Sequence, residues 1–277
     1  MKRATIPKTA SGRIERPDGA SIYYETTGEG PALLFAHGVG GNHMSWWRQI
    51  PAFARDHRCI VFSHRGFAPS TVPSGLPDPH DFAGDAATLM DHLGVEKTVH
   101  IGQSMGGWTG VELALGHPDR LAGLVLANTT GSLAYDGFDD PEIARWVEEA
   151  PGRAAEIVTD GVHRATSRSF AENEPEMHHL YGMIDRLNSR LDKGAVRARI
   201  RAMRARPPED AARIACPTLC LTGEDDFAIA PPGVRAVGAR IPGARVVSLP
   251  ATGHSTYVER AEMFNAILRE FLDEIGW

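Results

Sequence analysis

The sequence predicts an α/β fold in which a mostly parallel central sheet is flanked by helices, and three observations support this prediction. Short apolar runs of strand length alternate with helical segments over much of the 277 residues, a rhythm typical of parallel sheets wrapped by helices. Residues 121–127 are apolar throughout, as expected of a strand buried on both faces. Between residues 131 and 211 the strand rhythm stops, which indicates a helical insertion.

The elements predicted before this insertion begin with a hairpin whose turn is marked by Asp18 and Gly19. Two helices are predicted to end at Gly94 and Gly116, the second with Pro118 beyond it, because glycine commonly terminates a helix and proline cannot continue one. The predicted strands are 13–16, 21–26, 33–36, 59–63, 98–101 and 121–127, and the predicted helices are 44–55, 81–93 and 108–115.

The insertion is rich in Ala, Arg and Glu, and it is predicted to form four helices at 141–150, 153–168, 174–191 and 193–204. The first of these is acidic and the last is basic. This pattern favours solvated faces with ion pairs between helices, and a patch that binds carboxylates is the alternative. After Pro217 the strand rhythm returns, with predicted strands at 218–221 and 244–249 and a closing helix at 260–275.

Composition narrows the class of protein. Hydrophobic residues make up 42% and charged residues 23%, values that allow a sizeable core. A net charge of −6 gives no indication of nucleic acid or anionic membranes as partners. The start of the chain has no apolar stretch of signal-peptide type, and no run approaches the length of a membrane span. We therefore expect a cytoplasmic protein, and its three cysteines favour buried thiols over a disulfide or a metal site.

The most informative motif is Gly-Gln-Ser-Met-Gly at residues 102–106. It follows a predicted strand and opens a predicted helix, which is the setting of a nucleophile elbow. Such a turn strains the backbone of Ser104, so the positions two before and two after it must lack bulk. The serine then stands at the amino end of a helix, where N–H groups and the helix dipole favour a developing negative charge.

A serine hydroxyl needs a base to take its proton, and an acid usually orients that base. Among 12 histidines, His254 is the best placed, since it lies in a loop between a predicted strand and the final helix. Two acids, Asp225 and Asp226, follow the strand at 218–221. Adjacent side chains in an extended segment point opposite ways, so only one of them can meet the histidine, and spacing alone does not separate them.

The order serine, then acid, then histidine resembles that of the α/β-hydrolase superfamily, and the resemblance covers nearly the whole chain. The family's Gly-x-x-Asp pattern, matched by residues 223–226, implies that the acid is Asp226, which gives Ser104, Asp226 and His254 as the catalytic residues. The resemblance also implies that residues 1–130 and 212–277 form the hydrolase core and that residues 131–211 form a helical lid. We expect such a lid to set the choice of substrate and not the chemistry.

The segment from Leu33 to Gly40 resembles the family's strand and His-Gly loop, whose N–H groups help to form an oxyanion hole. By that resemblance the two donors are the backbone N–H groups of Val39 and Met105, and His37 shapes the loop without acting as a base. The segment that begins at Ser63 resembles the family's Asp-x-Arg-Gly-x-Gly-x-Ser loop with two departures, because Ser63 and Ala68 replace the usual Asp and Gly. These departures weaken assignment to one branch of the family.

The serine at position 104 excludes the haloalkane dehalogenase and epoxide hydrolase chemistry, which needs a carboxylate nucleophile, and it suits acyl transfer. We therefore predict a serine hydrolase that cleaves a small, fairly apolar carboxylic ester or lactone through an acyl-enzyme. The alternatives within the family are a carbon–carbon bond hydrolase of the meta-cleavage type and a cofactor-free haloperoxidase or perhydrolase. The alternative from another class is a ligand receptor with residual hydrolase activity.

We expect no cofactor and no metal ion. The glycines at 38, 40 and 41 are accounted for by the predicted oxyanion turn, and no dinucleotide or phosphate loop is found elsewhere. His178 and His179 are neighbours on a predicted helix, so they point in different directions and do not suggest a metal site. The predicted partner is the small-molecule substrate, and the sequence carries no indication of the oligomeric state.

Overall fold

The computed structural model describes residues 7–135 and 138–277. Residues 1–6 and 136–137 lie outside this range. The first group contains most of the basic start of the chain, from which no signal peptide is predicted, and the second contains two positions of the predicted lid.

An eight-stranded sheet forms the centre of the described chain. Its order is β1-β2-β4-β3-β5-β6-β7-β8. The pairs β1–β2 and β2–β4 are antiparallel, and the other pairs are parallel, which confirms the predicted mostly parallel sheet. The strands are β1 (Thr9–Glu15), β2 (Ser21–Thr27), β3 (Ala32–Ala36), β4 (Arg58–Phe62), β5 (Thr98–Gln103), β6 (Leu121–Ala127), β7 (Thr218–Gly223) and β8 (Arg245–Leu249).

Helices connect these strands. The α-helices are α1 (Ile50–Phe53), α2 (Phe82–His92), α3 (Met105–Gly116), α4 (Pro141–Thr159), α5 (Arg168–Asn173), α6 (Pro175–Arg186), α7 (Lys193–Met203), α8 (Pro231–Gly238), α9 (Thr256–Glu259) and α10 (Ala261–Ile275). Short 3₁₀ turns occur at His43–Trp46, Pro79–Asp81, Pro118–Arg120 and Pro208–Arg213.

The sheet is covered by helices on both faces. Successive side chains of a strand point to opposite sides, so neighbouring residues of one strand belong to different apolar clusters. Leu34 of β3 belongs to a cluster with buried residues of α2, α3 and α8. Its neighbours Leu33 and Phe35 belong to the opposite cluster, which includes residues of α1 and α10. Of the six strands joined by parallel pairs, all but the edge strand β8 are mostly buried, which explains their nearly continuous apolar sequences.

The strand order places the candidate site. The chain moves outward from β3 to β4 and then crosses back to β5 on the other side of β3. Ligands of open α/β sheets bind at the carboxyl ends of the strands, next to such a reversal of order. Ser104 directly follows β5 at this point, and the loops after β3, β6, β7 and β8 open at the same edge of the sheet.

Two predicted helices differ from the structure at prolines. The predicted helix 44–55 is replaced by the turn His43–Trp46 and the four-residue α1. Pro51 lies in the first turn of α1, where its missing N–H removes no helical hydrogen bond. At Pro151 the observed helix is longer than predicted. Helix α4 continues through this proline and unites the predicted helix 141–150 with part of the helix predicted at 153–168.

The continuity of α4 has a packing cause. Its buried residues Ile143, Ala150 and Ile157 are seven positions apart, so they form one apolar stripe on both sides of the proline. Burial of this stripe stabilises a single helix that proline alone would interrupt. The chain leaves the helix at Thr159 and becomes helical again only at Arg168, so the second half of the predicted helix 153–168 is wrong.

The insertion between β6 and β7 contains α4 to α7. Its predicted limits, residues 131 and 211, and its role as a lid stay predictions. The acidic residue Glu142 of α4 pairs with Arg235 of α8 and not with the basic α7. Among the described residues, no helix is both long enough and apolar enough to cross a membrane. Cys59 and Cys220 are buried free thiols, and Cys216 is a partly buried one.

Candidate active site

Ser104 occupies a sharp turn between β5 and α3. Its φ is +51° and its ψ is −113°, a backbone conformation that residues with a β-carbon rarely adopt. Its N–H donates to the carbonyl of Ala127 at 2.9 Å, which anchors the turn to the neighbouring strand β6. The side chain is partly exposed at the amino end of α3, where the helix dipole favours negative charge.

The glycines on either side of Ser104 are required by close backbone contacts. A β-carbon at Gly102 would lie 2.3 Å from the carbonyl oxygen of Gly106, and one at Gly106 would lie 2.0 Å from that of Ala36. Both distances are below any van der Waals contact, so the turn can form only without side chains at these positions. The spacing of the motif thus has a steric cause.

The loop after β3 approaches Ser104 directly. A β-carbon at Gly38 would lie 3.1 Å from the β-carbon of Ser104. The N–H of Gly41 donates to the carbonyl of Gly38 at 2.9 Å, so Val39 occupies a central position of a tight turn, and that bond does not use its N–H. Met105 is the first residue of α3, and its N–H has no acceptor within the helix. Two backbone donors therefore flank the serine.

His37 holds this turn in place. Its Nε2 accepts the backbone N–H of His64 at 3.0 Å, so the proton is on Nδ1, which donates to the carbonyl of Gly38 at 2.7 Å. Burial lowers the pKa of the His37 imidazole to about 3. The ring is therefore neutral at physiological pH, and its nitrogens bond to Gly38 in the loop after β3 and to His64 in the segment after β4.

Asp226 and His254 are joined by a hydrogen bond. Nδ1 of His254 lies 2.8 Å from Oδ2 of Asp226, and both side chains are buried. The other oxygen of Asp226, Oδ1, accepts the backbone N–H groups of Ala228 and Ile229 at 2.7 and 3.0 Å. Because both oxygens are held by N–H donors, the carboxylate cannot rotate, and it fixes the orientation of the imidazole.

The two aspartates that follow β7 are in different environments. Asp226 is fully buried against His254, whereas Asp225 is partly exposed and only its backbone is tied down, through a hydrogen bond from its N–H to the carbonyl of Thr252 at 2.9 Å. The structure thus brings one acid of the pair to the histidine.

Ser104 is linked to the His254 loop through its neighbour Gln103. The side-chain amide of Gln103 donates to the carbonyl of His254 at 2.7 Å, so the end of β5 and the loop after β8 are in contact. Among the described residues, the hydrogen bonds do not include one from the Ser104 hydroxyl to the His254 ring. Such bonds are commonly loose in hydrolases without substrate and tighten when a substrate binds.

Asn128 is a site residue that the sequence analysis missed. Its Nδ2 donates to Oδ2 of Asp226 and to the carbonyl of Gly253, both at 3.1 Å, and its Oδ1 accepts the hydroxyl of Thr256 at 2.7 Å. One buried amide therefore connects the acid loop with the histidine loop. The signal available in the sequence is a polar residue directly after the apolar strand 121–127, at the edge of the sheet where sites form.

We expect Asn128→Gly to lower the free energy of unfolding by about 2–4 kcal/mol, because it leaves several buried partners without a hydrogen bond. Asn128 has a φ of +53°, which glycine adopts freely, whereas a β-carbon is disfavoured there by roughly 1 kcal/mol or more. Asn128→Ala should therefore be less stable than Asn128→Gly, the reverse of the usual order. Urea denaturation of the three proteins measures this, and an alanine variant as stable as the glycine variant would contradict it.

The insertion packs on the elements that carry the candidate oxyanion donors. Val196 and Ile200 of α7 share an apolar cluster with Val39, Met105 and Trp108. Asn188, just after α6, donates to the carbonyl of Gly41 at 2.9 Å and accepts the N–H of Ala68 at 2.8 Å. The surroundings of the two donors are thus mostly apolar and are built in part by the insertion.

A side chain of the insertion also contacts the loop that carries Asp226. The indole N–H of Trp146 on α4 donates to the backbone carbonyl of Asp226 at 2.8 Å. The loops after β3 and β7 are therefore each contacted by side chains from the insertion.

Comparison with known proteins agrees with this fold. The family model described as "alpha/beta hydrolase fold" matches residues 31–261. The chain is 31% identical to the RutD protein of a Caulobacter species over 270 residues, which cover 91% of this chain and 95% of the relative, and whose name proposes a carbamate hydrolase.

Two solved structures have the same architecture and a clear sequence likeness. A thermophilic esterase from Thermogutta terrifontis is 29% identical, with a TM-score of 0.76 and coverage of 96% of this chain and 99% of the esterase. The enol-lactonase from Burkholderia xenovorans is 28% identical, with a TM-score of 0.74 and coverage of 92% of this chain and 97% of the lactonase.

Proposed function

This chain belongs to the α/β-hydrolase family, and on that basis we propose that it is a serine hydrolase that cleaves a small, fairly apolar carboxylic ester or lactone. The observation that carries the proposal is the buried pair of Asp226 and His254, joined at 2.8 Å, at the same sheet edge as the strained Ser104. Nucleophilic acyl transfer requires an oriented imidazole near an accessible serine hydroxyl, and the buried His254 and the partly exposed Ser104 support such a pair.

In the proposed mechanism, the Ser104 oxygen attacks the substrate carbonyl carbon while Nε2 of His254 accepts the hydroxyl proton. Asp226 keeps the other ring proton on Nδ1 and stabilises the imidazolium that forms. The N–H groups of Val39 and Met105 hold the tetrahedral oxyanion. His254 then protonates the leaving alcohol, which departs from an ester and stays tethered in a lactone. A water molecule, deprotonated by His254, finally hydrolyses the acyl-enzyme and frees the serine.

We also propose that residues 131–211 act as a lid over this site. The apolar cluster that Val196 and Ile200 share with Val39 and Met105 supports this role and the preference for apolar substrates. Asn188 of the insertion is hydrogen bonded to Gly41 in the loop after β3. Not every residue of the lid is therefore expected to affect substrate choice alone. Substitutions at such anchors should also disturb the catalytic loops.

The proposal is tested with the wild-type protein and a fluorophosphonate, followed by a panel of nitrophenyl esters of increasing chain length, a γ-lactone and a phenyl carbamate. We include the carbamate because of the likeness to RutD. We expect covalent labelling of one residue, loss of activity on labelling, and repeated turnover of short esters or of the lactone. Absence of both labelling and turnover would contradict the proposal.

Two additions to this panel, a vinylogous diketone and a mixture of acetate and peroxide, separate the alternatives. Cleavage of a vinylogous diketone with no turnover of esters would favour a carbon–carbon hydrolase. A rate of perhydrolysis above the rate of hydrolysis, measured with acetate and peroxide, would favour a haloperoxidase. A single turnover that ends in a stable covalent adduct would favour a receptor. Each of these reactions uses the same nucleophile and base, so the substrate and not the site residues decides among them.

A further inference from the structure

Glu259 is a buried carboxylate that has no place in the mechanism above. It is the last residue of α9, and only 4% of its surface is exposed. Burying an acid is costly unless hydrogen bonds compensate. Burial raises the pKa of the Glu259 carboxyl, while its N–H donors oppose that rise by favouring the ionised form. A side chain with this cost requires a structural or functional reason.

Three backbone N–H groups donate to this carboxylate, and two of them belong to the residues on either side of His254. Oε2 accepts the N–H of Gly253 at 3.0 Å, and Oε1 accepts the N–H of Ser255 at 3.1 Å. One carboxylate thus holds the backbone N–H groups of the residues on both sides of the histidine. The backbone of the loop is fixed by Glu259, and the ring is fixed by Asp226.

The third donor belongs to the insertion. Oε2 also accepts the N–H of Ser167 at 2.9 Å, and the hydroxyl of Ser167 caps α5. A β-carbon at Gly253 would lie 2.7 Å from the nitrogen of Ser167, so the two segments are in close contact. A parallel link joins the hydroxyl of Ser255 to that of Tyr181 on α6 at 2.9 Å. The position of the histidine loop therefore depends on the docked insertion.

The negative charge of Glu259 is compensated by peptide dipoles. Arg260, the adjacent cation, donates instead to the carbonyl of Ala251 at 3.2 Å, and Arg48 pairs with Glu174 at 2.8 Å. The other titratable groups that face Glu259 are the Tyr181 and Tyr257 phenols and Glu174, which lines the same small cleft. At neutral pH the phenols are uncharged. Asp226 and Glu259 are buried carboxylates that accept hydrogen bonds from the histidine loop, so their charge can stabilise an imidazolium at His254.

We propose that Glu259 is a positioning residue for His254, which holds the N–H groups of both neighbouring residues, favours the imidazolium by its charge, and links the histidine loop to the insertion through Ser167. This inference rests on the proposed function, because the imidazolium matters only if His254 accepts a proton from Ser104. Glu259 acts through His254 and not on the substrate: it fixes the backbone of the histidine loop, and its charge stabilises the protonated ring.

The test compares Glu259→Gln with Glu259→Asp. The Gln variant keeps the shape but has one acceptor oxygen for three donors, and it loses the charge. We expect kcat for a nitrophenyl ester to fall about 10- to 100-fold, because displacements near 1 Å have such effects, while KM changes less than about threefold. Without the anion, the acid limb of the kcat/KM profile should move to lower pH by roughly half a unit to one unit. The Asp variant retains the charge and should return the limb toward the wild-type position.

Asp85→Asn is the matched control. Asp85 is also a buried acid whose pKa is raised by burial, and it pairs with Arg65 far along the chain from His254. This variant should be less stable but should leave the acid limb in place. If Glu259→Gln left the limb unmoved, or if Asp85→Asn moved it equally, Glu259 would be only a structural acid and the inference would be wrong.

A measurement independent of turnover separates this inference from the proposed function. The Nδ1 proton shared by His254 and Asp226 should give a far-downfield proton resonance, whose pH titration reports the pKa of His254. We expect a lower midpoint in Glu259→Gln than in the wild type. If no substrate is cleaved but this shift is observed, the proposed function fails and the positioning role stands. If substrate is cleaved and the midpoint is unchanged, the proposed function stands and the positioning role of Glu259 is wrong.

Discussion

Replacing Ser104 by alanine should lower the rate of ester hydrolysis about a million-fold, because a nucleophile and its base act as a unit and loss of either member removes nearly all of their effect. Labelling by a fluorophosphonate should disappear together with turnover. The measurement is the steady-state rate on the best ester of the panel, with intact-protein mass spectrometry after labelling. Retained labelling in Ser104→Ala would show that another residue is the activated nucleophile.

Two further variants make this experiment specific. Ser74→Ala removes an exposed hydroxyl that donates to the carbonyl of Leu76 two residues away, and it should label and turn over as the wild type does. Ser104→Gly should be as inactive as Ser104→Ala but more stable by about 1 kcal/mol, because the φ of +51° strains any residue with a β-carbon. This difference would show that strain at the turn is retained for function.

Asp226→Asn should lower turnover roughly ten-thousand-fold through the wrong tautomer of His254, and the structure indicates why the amide cannot avoid this. Two backbone N–H groups, those of Ala228 and Ile229, donate to Oδ1. The amide oxygen of the variant must remain there to accept them, which turns its NH₂ group toward Nδ1 of His254. Nδ1 would then have to accept a hydrogen bond from this NH₂ group, so the ring proton would lie on Nε2, the nitrogen that must be unprotonated to act as the base.

Asp225→Asn is the comparison that tests the choice of acid. Its side chain is partly exposed, and its backbone bond to Thr252 does not depend on the side chain. We expect a loss of activity of less than about tenfold, from changes in the loop alone. If Asp225→Asn lost more activity than Asp226→Asn under the same conditions, the acid would be Asp225, and the pair observed at 2.8 Å would have only a structural role.

Much of the sheet could be predicted because most of its strands are recognisable in the sequence as short apolar runs. The run 121–127 coincides with β6, and the strands predicted at 33–36, 59–63 and 218–221 lie within two residues of their observed limits. Apolar runs of five to seven residues bounded by turn residues have few alternatives once several of them alternate with helices. The order of the strands also follows from the family that the motifs indicate.

Helix limits in the insertion could not be predicted as well. Pro151 normally ends a helix, yet α4 continues through it because Ile143, Ala150 and Ile157 bury one stripe. The helix α8 was not predicted at all, although Val234 and Val237 bury it against the sheet. In both cases the deciding free energy comes from burial against other parts of the chain, which local propensity does not include.

By itself, the sequence determined the class of sheet, the elbow at residues 102–106 and the chain order of a serine, a pair of acids and a histidine, because each is a local pattern of residue types. Only the tertiary structure decided which carboxylate meets His254, and it alone showed that Asn128 and Glu259 hold the surrounding loops. Hydrogen bonds such as that between Asn128 and Asp226 join residues 98 positions apart. Their partners are selected by the convergence of strand ends at one edge of the sheet, which no local pattern records.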